Sequence, residues 1–326
     1  MQFSGEHGIR IRHDSDLFID ACGVKGKNII VSHAHSDHAK ITSANNYFMS
    51  RETASLLHLN GKEKVKEVPF GKKFEVNGFE VSMYNSGHIL GAAQLKVCNG
   101  KEVVATTDFK LQKSILLEPA EILHGDVLLM ESTFGLPEYI FPERQLVYED
   151  MIKWVNSQLA LKRFVVLGGY ATGKAQELTK VVNEFLNETP LVHKRVFEQN
   201  KAYESNGVRL GSFIELNHNL DEADILILPP HFISDDLLHA VSLQSGRKVS
   251  CAIATGWRGS KFKTFPLSDH ADFRQLLGYV KESEPKMVLT HHGFDRELAK
   301  SIQKKLGVPA KSLQDSNQKT LQEFLS

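Results

Sequence analysis

An α/β fold is predicted by three features: short apolar runs that end in polar or glycine-rich residues, amphipathic stretches between them, and one segment of strict alternation. The runs are "NIIV" (28–31), "EVVATT" (102–107), "DVLLM" (126–130), "FVVLGG" (164–169), "ADILIL" (223–228) and "KMVLT" (286–290), each reading as a short buried strand. Between two of them, "KAQELTKVVNEFL" places Leu178, Val181, Val182, Phe185 and Leu186 at i, i+3, i+4, i+7 and i+8, one face of a helix. "FEVNGFEVSMYN" (74–85) alternates on either side of Asn77-Gly78, a turn pair that predicts an antiparallel hairpin and so mixed sheets. Two prolines and a glycine in "FGLPEYIFPER" (134–144) interrupt the pattern and mark a domain boundary. The polar, glycine-containing "GWRGSKFK" (256–263) marks a second.

Composition narrows the class. The 326 residues suffice for one large or two ordinary domains, and 24% charged with 41% hydrophobic residues is a globular balance, a poor fit to disorder. No apolar run approaches the ~18 residues of a membrane span. The start "MQFSGEHGIRIRHD" lacks the apolar stretch of a signal peptide, so a cytoplasmic protein without a membrane partner is expected. Cys22, Cys98 and Cys251 are too few and too far apart for a disulfide framework or a cysteine zinc knuckle. Any metal must therefore use histidines and carboxylates. Lys and Arg together number 39, as do Asp and Glu, so a nucleic-acid partner would need a local basic groove rather than a global charge.

Such a metal site is suggested by "NIIVSHAHSDHAK" (28–40), where His33, His35, Asp37 and His38 follow a strand. In an extended segment His33, His35 and Asp37 project to one side and His38 follows at a turn, an arrangement able to serve two ions. Imidazole and carboxylate ligands without cysteine suit Zn²⁺ or a similar divalent metal in an open, catalytic site. A surface histidine cluster is the plainer alternative. Two later strand ends add candidates: His88 in "NSGHILGAAQ" and Asp108 in "VVATTDFK". Taken singly, these would read as a hydrogen-bonded loop histidine and a helix cap.

In order, His33-x-His35-x-Asp37-His38, His88 and Asp108 resemble the ligand series of the metallo-β-lactamase superfamily, with Asp20 in "LFIDACG" similar to the aspartate that supports a ligand histidine there. "MESTFG" with Glu131, "GYATGKAQEL" (169–178), "FPLSDHADF" with His270 and "VLTHHGF" with His292 resemble further motifs of its β-CASP nuclease branch. "ESTFGLPEY" and "LSDHADF" look most like ligase-associated DNA exonucleases and archaeal mRNA 3′-end processing proteins. The matches run from about residue 20 to 295. They imply an αββα sandwich built from residues 1–135 and 264–326, with a β-CASP α/β domain inserted at 136–263.

By the same resemblance, His33, His35 and His88 hold one Zn²⁺, Asp37, His38 and His292 hold the other, and Asp108 bridges them, Mn²⁺ being an alternative metal. The family ligand precedes a glycine, which selects His292 before Gly293 and leaves His291 as a fallback. Two cations about 3.5 to 4 Å apart would activate a hydroxide for attack on a phosphodiester. His270 would act as general acid, with Glu131 orienting its ring and Asp20 fixing a ligand tautomer. For His270 the alternative is a loop histidine before the helix "ADFRQLLGYVK". The implied activity is a nuclease on single-stranded DNA or RNA, an exonuclease rather than an endonuclease, in DNA repair or RNA processing with proteins of those pathways as partners. The oligomeric state is left open, a dimer included. The competing function is hydrolysis of a small thioester, lactam or phosphodiester.

Two basic stretches remain. "GGYATGKA" (168–175) has the G-x-x-x-x-G-K spacing of a P-loop, but Ala175 stands where the magnesium-binding Ser or Thr is needed. A tight strand-to-helix turn is one reading, and a helix start holding a nucleic-acid phosphate beside Lys174 is another. "GWRGSKFKTFPLSDH" interleaves Arg258, Lys261 and Lys263 with Trp257 and Phe262, a composition suited to a single strand as well as to a solvated loop.

Overall fold

A computed structural model describes residues 1–5, 8–217 and 220–317. Its first elements are β1 (Gln2–Ser4), β2 (Ile9–Arg12), β3 (Asp16–Ile19), β4 (Asn28–Ile30), β5 (Asn46–Met49), α1 (Arg51–Leu56) and β6 (Lys64–Glu67). There follow β7 (Lys73–Val76), β8 (Phe79–Asn85), β9 (Ala93–Cys98), β10 (Glu102–Ala105) and β11 (Val127–Glu131). Next are α2 (Arg144–Ala160), β12 (Phe164–Gly168), α3 (Lys174–Val181), β13 (Leu191–Val192), α4 (Lys194–Ser205) and β14 (Ile214–Glu215). They lead into β15 (Ile225–Leu228), α5 (Asp235–Ser245), β16 (Val249–Ala254), β17 (Lys263–Phe265), α6 (Phe273–Ser283), β18 (Met287–His291), α7 (Asp295–Leu306) and β19 (Ala310–Ser312). The fold is thus mixed α/β, and among the described residues no helix is long and apolar enough to cross a membrane.

The chain divides into two units, one made of Met1–Leu111, Pro119–Ile140 and His270–Ser326, the other of Gln112–Glu118 and Phe141–Asp269. In the first, β1 to β6 form one sheet in sequence order, and a second sheet runs β19-β18-β11-β10-β9-β8-β7. Alternation explains how they stack. On β11, Val127 and Leu129 face a core shared with Ile11, Leu17, Ile19 and Ile30 of the first sheet. Leu128 and Met130 face the other way, against Leu276, Tyr279 and Val280 of α6 and Leu298 and Ile302 of α7. A strand covered on both faces reads as the continuous apolar run seen in the sequence. Ala54 and Leu57, in and just after α1, pack against Phe18, Ile29 and Tyr47 on the other face of the first sheet. The 74–85 segment is the antiparallel pair β7 and β8, turned by Asn77 and Gly78 at φ 52° and 79°.

The second unit is built on a parallel sheet ordered β14-β13-β15-β12-β16-β17. Val147, Met151 and Val155 of α2, Leu178 of α3 and Val196 of α4 cover one face. Val241 of α5 joins the core on the other. Two sequence expectations are corrected here. The boundary at 263/264 falls inside β17, whose pairing with β16 keeps it in the second unit, and the break lies after Asp269. The other break follows Ile140, later than residue 135, and 112–118 also join the second unit. The predicted helical face also ends early: Val182–Leu186 form a π-helical turn, which shifts the register and leaves Phe185 42% exposed. The final residues of the expected 264–326 segment, 318–326, lie outside the described residues.

Candidate metal centre

Several strand ends of the first unit converge on one cluster. After β4 the chain turns tightly, His38 N and Ala39 N both donating to His35 O at 3.0 and 2.9 Å. This turn brings the His38 ring back to 4.2 Å from that of His33, between centroids. The backbone is held in unusual conformations at three further strand ends: Asp20 after β3, Thr107 after β10 and His292 after β18 have φ of 51°, 50° and 59°. A left-handed β-branched residue such as Thr107 is costly and persists only where surrounding bonds impose it. Its hydroxyl donates to Ala93 O at 2.7 Å, and Asp108 follows directly.

Asp108 lies at the centre. Its Oδ2 is 3.4 Å from His33 Nε2, 3.4 Å from His38 Nε2 and 3.8 Å from His88 Nε2, while Oδ1 is 4.0 Å from His292 Nδ1. His88 Nε2 also lies 3.0 Å from His35 Nδ1. The donor atoms group as His33, His35, His88 and Asp108 on one side and His38, Asp108 and His292 on the other. Asp37 is peripheral: its carboxylate is 79% exposed and 3.7 Å from His38 Nε2. Of the histidine doublet, His292 faces the cluster, whereas His291 is buried with neither ring nitrogen hydrogen-bonded among the described residues.

These residues fit a divalent metal on their own geometry. His33 Nε2 and Asp108 Oδ1 are buried without a hydrogen-bond partner among the described residues, a costly state for polar atoms unless a cation serves them. Ligands about 2.1 Å from a tetrahedral ion stand about 3.4 Å apart, the separation seen around Asp108 Oδ2. The charges agree. Burial, then the neighbouring His38, push His33 well below the ordinary imidazole range, so it offers a lone pair. Burial opposes ionisation of Asp108, yet the surrounding imidazoles, His38 first, hold it well below the usual carboxylate range. His38, whose charge burial disfavours, is lifted to about 10 by Asp108, Asp20 and Asp37. A metal binding there must displace that proton.

Around this cluster are supporting bonds. Asp20 accepts from His38 Nδ1 at 2.9 Å and from Ser32 N and Oγ at 2.7 and 2.6 Å. Glu131, 1% exposed at the end of β11, lies 2.8 and 3.1 Å from His270 Nδ1 through its two oxygens. Phe109 N at 2.8 Å and Thr133 Oγ1 at 2.6 Å also donate to Glu131. His270 precedes the capping box of Asp272 and Gln275 that starts α6, and its ring centroid is 4.6 Å from that of His88. Ser32 and Thr133 were not foreseen from sequence. Their only signal there is a hydroxyl residue beside a ligand motif.

The basic residues are in the second unit. Lys174 is corrected: it is 3% exposed, and its Nζ donates to Asp269 Oδ2 at 2.7 Å and Leu267 O at 2.8 Å, so no phosphate reaches it. Lys261 and Lys263 are exposed and reach Asp235 and Asp150 at 2.7 and 3.4 Å. Arg258 is exposed in the loop between β16 and β17.

No family model matches the chain. Among curated relatives, a protein described as a probable DNA ligase from Opitutus terrae is 31% identical over 90% of this chain, which spans only 29% of that relative. RNase aCSPSF2 from Saccharolobus solfataricus is 26% identical over 87% of this chain and 73% of its own length. Cleavage and polyadenylation specificity factor subunit 3-I from Arabidopsis thaliana is 21% identical over 85% of this chain and 53% of its own. A solved structure of a protein of unknown function from Enterococcus faecalis, 14% identical, superposes with a TM-score of 0.61, covering 89% of this chain and 81% of that one, and so shares the fold. With relatives of this kind along most of its length, the chain belongs to the β-CASP branch of the metallo-β-lactamase superfamily.

Proposed function

We propose that the protein is a metal-dependent nuclease acting on single-stranded nucleic acid, with the first unit as the αββα metallo-β-lactamase sandwich and the second as the inserted β-CASP domain. The observation that carries this reading is the position of Asp108, which belongs to three of the four ligand groups and lies between His33, His35 and His88 on one side and His38 and His292 on the other. That division suits two Zn²⁺ ions, with Asp37 closing the second site from its exposed edge. Held by these residues, such cations would supply Lewis-acid polarisation of a phosphodiester and a more acidic water. His270 holds a proton for the leaving sugar oxygen. With Nδ1 against Glu131, the other ring nitrogen is the atom that delivers it. The relatives are named as a ligase, an RNase and a cleavage factor, and nucleic acid is the substrate class those names share.

Arg258, Lys261 and Lys263, near Trp257 and Phe262, form the surface on which a strand would lie, phosphates on the cations and bases against the rings. The mode proposed for that strand is exonucleolytic trimming from an end. The test uses end-labelled single-stranded DNA and RNA, each with 5′-hydroxyl or 5′-phosphate, and chelated enzyme restored with Zn²⁺ or Mn²⁺. A metal-dependent ladder on either polymer is expected, and its pattern gives polarity. Hydrolysis that survives His33→Ala together with Asp37→Ala would refute the reading, and turnover of a small phosphodiester or thioester without any cleavage of either polymer would replace it with the small-molecule alternative.

A further inference from the structure

Ser32 is fully buried between Asp20 and His33. Its hydroxyl donates to Asp20 Oδ2 at 2.6 Å and lies 2.8 Å from His33 Nδ1. A serine hydroxyl has one hydrogen. Spent on the carboxylate, it leaves the oxygen as an acceptor, so His33 Nδ1 must carry its ring proton and Nε2 must present a lone pair. That Nε2 is the buried atom without a partner among the described residues, 3.4 Å from Asp108 Oδ2. The opposite tautomer would aim an N–H at Asp108 and bond the two ligands to each other.

The same carboxylate oxygen accepts directly from His38 Nδ1 at 2.9 Å, leaving His38 Nε2 turned towards Asp108. We infer that Ser32 is a positioning residue that relays Asp20 to His33, so that one carboxylate sets the tautomers of a histidine in each ligand group. His38 is set directly and His33 through the serine hydroxyl. The inference rests on the two-metal reading above, but the tautomer it assigns belongs to the metal-free protein as well. Removing the relay should weaken one metal position and spare the other, whereas disabling Asp20 should weaken both.

Two measurements test this on the full chain. The first is ¹⁵N-edited NMR of the metal-free wild type, where His33 should be the Nδ1–H tautomer. Finding Nε2–H overturns the inference whether or not any variant folds. The second is Zn²⁺ titration against a chromophoric chelator. Ser32→Ala should lower the affinity of one of two ions by about 10- to 100-fold, the usual cost of losing a group behind a ligand. Ser32→Thr, which keeps the hydroxyl, should restore it, and Asp20→Asn should weaken both ions. Two wild-type affinities retained in Ser32→Ala would overturn the relay while leaving the metal reading intact. A wild type that binds no Zn²⁺ would remove the metal reading, with the NMR result still deciding the tautomer.

Discussion

Two buried clusters of charged side chains, one in each unit, differ in whether their polar atoms are satisfied. In the second unit Arg144 Nε donates to Glu177 Oε1 at 2.6 Å, and its other nitrogens reach Glu177 and Asp269. Lys174 completes the set on Asp269 at 2.7 Å, and the Tyr148 hydroxyl donates to Glu177. Two cations face two anions, and the charges close on themselves. Burial alone would lower the Arg144 pKa, yet Glu177 and Asp269 raise it above its ordinary value. In the first unit six imidazoles lie around one aspartate, and His33 Nε2 and Asp108 Oδ1 have no hydrogen-bond partner among the described residues. A closed network specifies structure, while an open one of lone pairs asks for a cation.

Asp108→Ala is expected to break the open cluster most completely. Nuclease activity should fall by at least about 10³-fold, the several kcal/mol of charge stabilisation that bound cations supply. Wild-type protein should also unfold at higher temperature with Zn²⁺ than with chelator, and this difference should vanish in Asp108→Ala. Calorimetric scans with and without Zn²⁺ check it. A variant that keeps the metal-dependent rise would show that the unpaired atoms have another purpose.

Arg144→Met should act in the opposite sense. It removes the guanidinium that faces Glu177 and Asp269, which should cost about 3–5 kcal/mol of stability by urea unfolding. Zn²⁺ affinity in the protein that remains folded should be unchanged. A smaller loss is expected at His270 and Glu131, where a half-buried imidazole meets one buried carboxylate. His270→Gln should lower kcat about 10²-fold, the low end for a general acid, with Zn²⁺ stoichiometry intact. Loss of metal together with rate would make His270 a ligand rather than a proton donor.

How much of this contrast is legible in the sequence depends on the separation of the residues involved. β10 and β11 are readable because strands covered on both faces must be apolar throughout. His33, His35, Asp37 and His38 are readable because six positions hold them all. Ser32 is adjacent to that motif, but its role depends on Asp20, 12 residues earlier, and on which way one hydroxyl hydrogen points. Lys174 misleads for the same reason. Its spacing after Gly168 fits a phosphate-binding turn, and its true partner, Asp269, is 95 residues away. Phe185 fits an ideal helical face, and a π-turn that no periodicity announces takes it out.

Asp16 supplies the mildest test, because its charges meet in partial solvent. Arg10 and Arg12 bond its carboxylate, Arg12 Nε at 2.9 Å, and lower its pKa from 3.8 to about 2. A carboxylate depressed on folding stabilises the native state above its unfolded pKa, and that contribution disappears as pH falls through the folded value. The window is therefore pH 4 to 2. With the Arg12 side chain 52% exposed and Asp16 24%, screening reduces the effect to about 1 kcal/mol. Urea unfolding of wild type and Asp16→Asn should differ by that amount at pH 5 and converge near pH 2. Added salt should shrink the gap at pH 5 while leaving the Arg144→Met deficit nearly untouched, since water and ions screen the first pair and not the buried network.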